Sequence, residues 1–137
     1  MSKRIYIDTN VYLDYLEDRV DNIRPLGEFA FNVFRRTLEC KFEIVCSDWV
    51  LEELRTDNML KEKLALLIND LKKANKFEII KRQSSDKLTA RNNAKNWTDY
   101  LHVMLALRAN AEFIVTRNVK DFEEFQNLLQ SKLPENI

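Results

Sequence analysis

The stretch Arg4-Ile5-Tyr6-Ile7-Asp8-Thr9-Asn10-Val11-Tyr12-Leu13 decides the fold of this chain. Its apolar, β-type residues end abruptly in three short polar side chains, and a helical pattern follows. In an open α/β sheet, ligands bind just beyond the carboxyl ends of the strands. The stretch therefore predicts a first strand over residues 5–7, with the Asp8 carboxylate at a position where metal or phosphate sites are usually built.

The composition is that of a globular protein. The chain has 137 residues, of which 45% are hydrophobic and 32% charged, and we expect a single domain over 1–137 that buries a sizeable core. No apolar run approaches the roughly 18 residues that span a bilayer, and the N-terminus lacks the pattern of a signal peptide. We therefore expect a cytoplasmic protein with no membrane partner, in which Cys40 and Cys46 are buried, reduced thiols.

The charge is balanced overall but unevenly distributed. Residues 55–96 contain eleven Lys/Arg and five Asp/Glu, a net +6, which leaves −6 on the remainder. This segment is either a set of solvated helix faces or a basic flank that holds a polyanion beside an acidic centre. Trp49 and Trp97 likewise belong either to the core or an interface, or to a surface that stacks RNA bases. The single glycine, Gly27, excludes a P-loop and a G-x-G-x-x-G fingerprint.

Short apolar runs alternate with helical patterns along the chain. The runs predict strands over 5–7, 42–46, 77–80 and 113–115. The 3.6-residue periodicity predicts helices over 10–16, 26–40, 48–54, 58–74, 86–95, 97–109 and 120–129, with Ser47 and Thr98 as N-caps. Such alternation is typical of a parallel sheet covered on both faces, so the predicted class is α/β, a three-layer α/β/α sandwich.

Acidic and amide side chains follow the predicted strands or begin the predicted helices. Asp8 follows the first strand, Glu53 lies on the helix after the second, Asp99 is in the first turn of the 97–109 helix, and Asn118 and Asp121 follow the fourth strand. Carboxylates that converge without basic partners repel strongly, and a divalent cation makes the arrangement tolerable. Oxygen ligands without clustered His or Cys favour Mg²⁺ or Mn²⁺ over Zn²⁺.

Each candidate also has an ordinary structural interpretation. Asp8 suits the N-cap of the helix that follows it, and Asp99 and Asp121 suit the positive ends of helices. His102 lies three residues after Asp99 on the same helix face. A lone histidine is more often packed or hydrogen-bonded structure than a ligand or a base.

In sequence order, these residues resemble the motifs of PIN-domain ribonucleases, the family that includes the toxins of many toxin–antitoxin pairs. Residues 5–10 resemble the first motif, whose Asp is a metal ligand. Residues 47–54 resemble the second, in which the acid is a Glu six residues after a Ser, and that spacing selects Glu53 over Glu52.

Asp99, with Ala106 and residues 113–116, resembles the third motif, and residues 116–122 resemble the fourth. The family often has Asp where this chain has Asn118, but a form with Asn there and Asp three residues later is also common. Whether Asp121 contacts metal directly or through water is therefore open.

The resemblance implies a PIN-like sheet of four to five parallel strands, with the fifth near the C-terminus, and the hydrolysis of RNA by one or two Mg²⁺ or Mn²⁺ ions. The implied ligands, directly or through water, are Asp8, Glu53, Asp99 and Asp121. The residues implied to orient them by hydrogen bonds are Thr9, Asn10, Thr116 and Asn118. The implied partners are RNA, a cognate antitoxin and a second copy of the chain, the last through helices 26–40 and 58–74.

Other functions remain open at this stage. A phosphatase with an aspartate nucleophile usually has a second Asp two residues after the first, and Asn10 stands there instead. A catalytically silent binding module of the same fold, or a ribonuclease of RNA processing that is not a toxin, would also retain these side chains.

Overall fold

Five parallel strands form the central sheet in the computed structural model, which describes residues 2–55 and 58–137, except for the side chains of 58 and 59. The strands are Lys3–Ile7 (β1), Phe42–Ser47 (β2), Phe77–Ile80 (β3), Phe113–Val115 (β4) and Ser131–Lys132 (β5). Their order is β3-β2-β1-β4-β5. The central position of β1 explains its continuous apolar run, since Ile5, Tyr6 and Ile7 are covered on both faces and are fully buried.

Helices cover both faces of this sheet. They are Thr9–Glu17 (α1), Leu26–Leu38 (α2), Asp48–Glu53 (α3), Asn58–Lys73 (α4), Asp86–Asn93 (α5), Trp97–Arg108 (α6) and Val119–Phe122 (α7). The connections step one way from β1 to β3 and then back to β4 and β5, and right-handed crossovers place the two groups on opposite faces. Consistent with this, α1 packs against α2 and α4, whereas α6 packs against α5 and α7. The predicted three-layer α/β/α fold is confirmed.

The register of the strands aligns their carboxyl ends at one edge. Ile7 pairs with Val115, and the Asp8 N–H donates to the Val115 carbonyl at 2.9 Å. On the other side Tyr6 pairs with Val45, so that Ser47, the last residue of β2, stands level with Asp8. The first polar residues after β1 and β4 and the last residue of β2 therefore share this edge.

The predicted helix over 120–129 is wrong. Helix α7 ends at Phe122, and a single 3₁₀ turn over Glu123–Phe125 follows. Phe122 and Phe125 are both buried, and a 3₁₀ turn, with three residues per turn, points side chains three apart to the same side. The chain then reaches β5, the fifth strand that the resemblance implied, which pairs with β4.

Two smaller expectations also need correction. Asn96, and not Thr98, is the N-cap residue of α6, and its side chain makes no capping hydrogen bond. Cys46 is buried as expected, but Cys40 is exposed, because it occupies the left-handed turn (φ 67°) between α2 and β2.

The single glycine lies where α2 crosses the end of α1. A Cβ atom on Gly27 would lie 2.4 Å from Asp18 Oδ1 and 2.8 Å from Asp18 Cα. Any other residue would push the two helices apart, so Gly27 serves their packing. Among the helices that the structure describes, none is long and apolar enough to cross a bilayer.

Candidate metal centre

Asp8 lies at the centre of the shared edge. It is the N-cap residue of α1 and is 5% exposed. Its Oδ1 accepts from the Thr9 N–H and its Oδ2 from the Thr116 hydroxyl, both at 2.8 Å. The capping interpretation and the site interpretation thus describe the same carboxylate, which is buried among neutral donors.

Glu53 approaches Asp8 from the last turn of α3. The Ser47 hydroxyl caps this helix by accepting from the Val50 N–H at 3.2 Å, so α3 begins where β2 ends. Six residues after the cap, Glu53 Oε1 accepts from the Thr9 hydroxyl at 2.6 Å and lies 2.8 Å from His102 Nε2. Its neighbour Glu52 is instead exposed and bonds to Arg82, which agrees with the choice of Glu53 from the motif spacing.

His102 joins the two carboxylates from α6. The ring is 1% exposed, and its Nε2 lies 2.8 Å from Glu53 Oε1 and 3.5 Å from Asp8 Oδ1. Its Nδ1 lies 2.7 Å from the Tyr6 hydroxyl, which in turn lies 2.6 Å from Ser47 Oγ. A buried chain of hydrogen bonds therefore runs from the cap of α3 through β1 and α6 back to the end of α3.

The hydrogen-bond partners in this network show which atom carries the hydrogen between Glu53 and His102. Burial raises the pKa of Glu53, but its hydrogen bond and attraction to His102 and its bond from Thr9 outweigh burial and lower the pKa overall. An ionised Glu53 can only accept, so His102 Nε2 carries a hydrogen. Burial lowers the pKa of His102, yet the bond to Glu53 and the charges of Asp8, Glu53 and Asp99 raise it overall.

His102 corrects the expectation of an oxygen-only cluster without a basic partner. Atoms of Asp8, Glu53 and His102 that could bind metal all lie within 4.8 Å of one another. Sequence reasoning treated this histidine as structural, and the signals available were its spacing from Asp99 and the Tyr6 ring on β1. Neither signal by itself indicates that the imidazole faces two carboxylates.

Asp99 stands beside this group on the first turn of α6. It is half-buried, and its Oδ2 accepts from the Asn96 side chain at 2.7 Å. Burial raises the pKa of Asp99, and the charges of Asp8 and Asp121 raise it further, against the effects of Asn96 and His102. Asp99 is therefore close enough to Asp8 for the two carboxylates to repel.

Asp121 is the least enclosed of the four predicted ligands. It is exposed in the first turn of α7, beside a cavity of about 650 Å³ that is also lined by Arg24, Asn118 and Lys120. Its backbone carbonyl, rather than its carboxylate, accepts from Asn96 at 3.2 Å. The structure thus places Asp121 at the rim and leaves the direct or water-mediated contact as a prediction.

The four predicted orienting residues differ in what they touch. Thr9 and Thr116 bond the carboxylates directly, as described above. Asn10 Nδ2 donates to Thr116 Oγ1 at 3.4 Å and so acts one step further out. The Asn118 N–H donates to the same oxygen at 3.1 Å, but its side chain makes no hydrogen bond to any residue that the structure describes.

The donor set fits a divalent cation. Three carboxylates from β1, α3 and α6 meet at one edge, and the repulsion between Asp8 and Asp99 is the kind that a cation relieves. Because His102 Nε2 already donates to Glu53, the atoms available to a metal are carboxylate oxygens, which suit hard cations such as Mg²⁺ and Mn²⁺.

Comparison with known proteins agrees with this geometry. A family model described as PIN domain matches residues 4–120. The chain therefore belongs to the PIN domain family. A search of curated proteins found no match.

Proposed function

We propose that this protein is a Mg²⁺- or Mn²⁺-dependent endoribonuclease. The observation that supports it most is the convergence of Asp8, Glu53 and Asp99 beyond the carboxyl ends of the central strands, in a chain of a family whose members are typically metal-dependent nucleases. Water-mediated phosphodiester hydrolysis needs negative ligands for a cation beside a surface that RNA can reach, and Asp121, on the α7 side of this group, is exposed.

The residues at this centre have three different proposed roles. Asp8, Glu53 and Asp99, with Asp121 from the rim, would hold the cation, which when bound would polarise the phosphate and make a water molecule more acidic. Thr9 and Thr116 keep the carboxylate oxygens of Glu53 and Asp8 in place. His102 fixes Glu53 through its Nε2–H.

The biological setting is part of the proposal. We infer a toxin that acts on cytoplasmic RNA and is neutralised by a cognate antitoxin whose segment fills the acidic groove. The proposed homodimer would use α2 and α4, where Phe31, Leu38 and Leu66 are 47%, 44% and 67% exposed. Burial of such side chains is a favourable contribution to association.

One observation favours a second candidate, a silent binding module. Each oxygen of Asp8 has a hydrogen-bond donor, and Glu53 bonds both Thr9 and His102, so these carboxylates have partners without a cation. A module of this kind would keep the acidic group for a protein or RNA partner and would cleave nothing.

Cleavage of RNA by purified protein tests the proposal. Total RNA is incubated with Mn²⁺, with EDTA, and with Mn²⁺ and the Asp8→Asn variant. Asp70→Asn, the same change at an exposed position on α4, is the matched control for purification. We expect discrete fragments with wild type and Asp70→Asn only, and 3′-hydroxyl ends, which show attack by water and not by the RNA 2′-hydroxyl.

The alternative outcomes separate the candidates. Fragments that persist with EDTA or with Asp8→Asn contradict a metal nuclease at this site and indicate contamination. If no fragment forms, isothermal titration with Mn²⁺ distinguishes two cases. Mn²⁺ binding that Asp8→Asn abolishes would indicate that the substrate RNA is missing from the mixture. No Mn²⁺ binding would favour the silent binding module.

A further inference from the structure

A surface of tryptophan rings and basic side chains adjoins the acidic group on its β3 side. We name it the indole surface, and it consists of Trp49, Trp97, Arg82, Lys87 and Arg91. The two indole rings lie 6.0 Å apart between centroids, and Trp49 lies 6.2 Å from the His102 ring. Rings therefore lead continuously from the proposed metal centre outward.

Basic side chains lie over these rings. Arg82 and Lys87 stand 5.1 and 5.2 Å from the centre of the Trp49 ring, and Arg91 stands 4.6 Å from that of Trp97. Trp49 is 8% exposed, whereas Trp97 is half-buried and Arg91 is exposed. Trp49 thus supports the surface, and Trp97 with Arg91 forms its accessible part.

The basic side chains of this surface and its surroundings differ in how far their charge is compensated. Residues 81–95 contain five Lys/Arg and one acid, Asp86, and Asp86 is paired with Arg108. Arg82 bonds Asp48 and Glu52, and Lys87 Nζ lies 3.9 Å from Glu52 Oε1, so these two cations are paired. In the part of the chain that the structure describes, no ion pair involves Lys81, Arg91 or Lys95.

We propose that the indole surface binds single-stranded RNA and guides it toward the acidic group. The proposal rests on the proposed function and assigns the surface over which its RNA would run. Alternating aromatic rings and cations are what single strands use, because unpaired bases stack on rings or guanidinium planes while their phosphates meet the cations. The bases of a duplex are already stacked on one another and cannot stack on the indole rings. An acidic protein would bind the cations but has no bases to stack on the rings.

The position of the surface supports the same conclusion. It begins beyond the carboxyl ends of β3 and β2, and the acidic group lies beyond those of β1 and β4. Both belong to one edge of the sheet. A strand held by Arg91 and Trp97 can therefore continue over the surface above the buried Trp49 and His102 rings to the carboxylates without leaving this edge.

Both tryptophans of the chain lie on this surface, so intrinsic fluorescence reports on it directly. The Asp8→Asn protein in EDTA, which holds no metal and cuts nothing, is titrated with a mixed-sequence 12-nucleotide RNA, the matching duplex, and polyglutamate. Affinity is read separately from the anisotropy of labelled RNA, since changing Arg91 alters the fluorescence of Trp97. We expect the change in tryptophan fluorescence to be larger with the single strand than with the duplex or with polyglutamate.

Two variants compare equal changes of charge. Arg91→Glu should weaken single-strand binding roughly tenfold or more and lower the slope of log K against log salt by about 0.7 per lost phosphate contact. Lys61→Glu, at an exposed position of α4 in the other helical layer, should leave both unchanged. Trp97→Phe keeps a ring while removing one fluorophore, and it should bind with a smaller tryptophan response.

The outcomes separate this proposal from the nuclease proposal. Equal affinities of Arg91→Glu and Lys61→Glu, or no tryptophan response, would overturn the indole surface even if cleavage is found. If the duplex or polyglutamate gave a tryptophan response equal to that of the single strand, single-stranded RNA would not be the specific ligand of this surface. If the wild-type protein binds the single strand as expected but cleaves no RNA that it binds, the RNA-binding proposal is supported and the nuclease proposal is contradicted.

Discussion

Two aspartates of this protein are equally buried and differ in their partners. Asp8 and Asp86 are 5% and 3% exposed. Asp86 accepts two bonds from the Arg108 guanidinium, at 2.7 and 2.8 Å, and one from the Gln83 N–H at 2.7 Å. Asp8 accepts from neutral donors alone, and His102 Nε2, which is charged only when the ring is doubly protonated, lies 3.5 Å from its Oδ1.

The difference separates a structural acid from a functional one. The charge of Asp86 is matched by a bidentate guanidinium, so it anchors α5 to the end of α6 and can bind little else. The charge of Asp8 is only partly matched, and other carboxylates stand beside it. Burial alone does not indicate function, whereas a buried charge without a full counter-charge does.

The largest expected effect comes from Asp8→Asn. Cleavage should fall by more than the roughly 10- to 100-fold that loss of an outer partner costs a metal site. The fold should persist with an unchanged or higher melting temperature, because Asn also caps helices and carries no charge to repel Asp99. Product formation and circular dichroism check this, and an unfolded variant would assign Asp8 a chiefly structural role.

Asp99→Asn should weaken Mn²⁺ binding about tenfold or more, since it removes one carboxylate from the centre. The matched change Asp121→Asn should weaken it less, because Asp121 lies exposed at the rim. Isothermal titration of both variants measures the difference. Equal losses would make Asp121 a direct ligand, and no loss in Asp99→Asn would remove Asp99 from the centre.

Asp86→Asn should show the opposite behaviour to Asp8→Asn. We expect a loss of about 2 kcal/mol in the free energy of unfolding, because a charged hydrogen-bond partner of Arg108 disappears, with cleavage per folded molecule preserved. Urea denaturation measures it, and Asp70→Asn should change stability by about 0.5 kcal/mol or less. If Asp86→Asn abolished cleavage while the protein stayed folded, the contrast between the two aspartates would fail.

The hydrogen-bond chain behind the centre can be cut at Tyr6. Tyr6 and Tyr12 are both fully buried, but only the Tyr6 hydroxyl has hydrogen-bond partners among the described residues. Tyr6→Phe should cost about 1 kcal/mol of stability and reduce cleavage roughly tenfold, and Tyr12→Phe should do neither.

The ¹⁵N resonances of His102 report the cause, because it is the only histidine in the chain. Tyr6→Phe should shift its Nδ1 signal, since Nδ1 loses its partner, and Tyr12→Phe should leave it in place. If the Tyr6→Phe protein cleaved RNA at the wild-type rate, the chain of hydrogen bonds through Tyr6 and His102 would not be what positions Glu53.

The smallest effect is a pH dependence of the Asp86 contribution. The hydrogen bonds from Arg108 lower the pKa of Asp86, against burial and with help from the Gln83 N–H. Below the unfolded-state value of about 3.9, the unfolded chain binds more protons than the native one. The stability from Asp86 is therefore present above that value and is lost as the pH falls through the native pKa.

Urea denaturation of wild type and Asp86→Asn between pH 7 and pH 3 measures this loss. The difference between the two proteins should be constant from pH 7 to about pH 5 and should shrink below about pH 4. A difference that stays constant down to pH 3 would mean that Arg108 does not hold the carboxyl ionised.

Much of the fold was readable from local patterns. The apolar run of 5–7 and the Ser47 cap were both assigned correctly, because each reflects a preference that acts over a few residues. The last helix was not, since the burial of Phe122 and Phe125 against the rest of the molecule overrides the helical pattern of 120–129. The metal ligands remain predictions, although the structure brings Asp8, Glu53 and Asp99 to one edge.

The sequence by itself determined the order of strands and helices as far as β4, the family resemblance and the candidate acids, because these depend on residue type and spacing. Only the tertiary structure decided that His102 joins Asp8 and Glu53, that Asp86 is paired with Arg108, and that the two tryptophans extend from the same edge. Those contacts link residues 22 to 94 positions apart. They depend on the pairing of strands and the packing of helices that are distant along the chain, whereas a periodic pattern reflects only neighbouring residues.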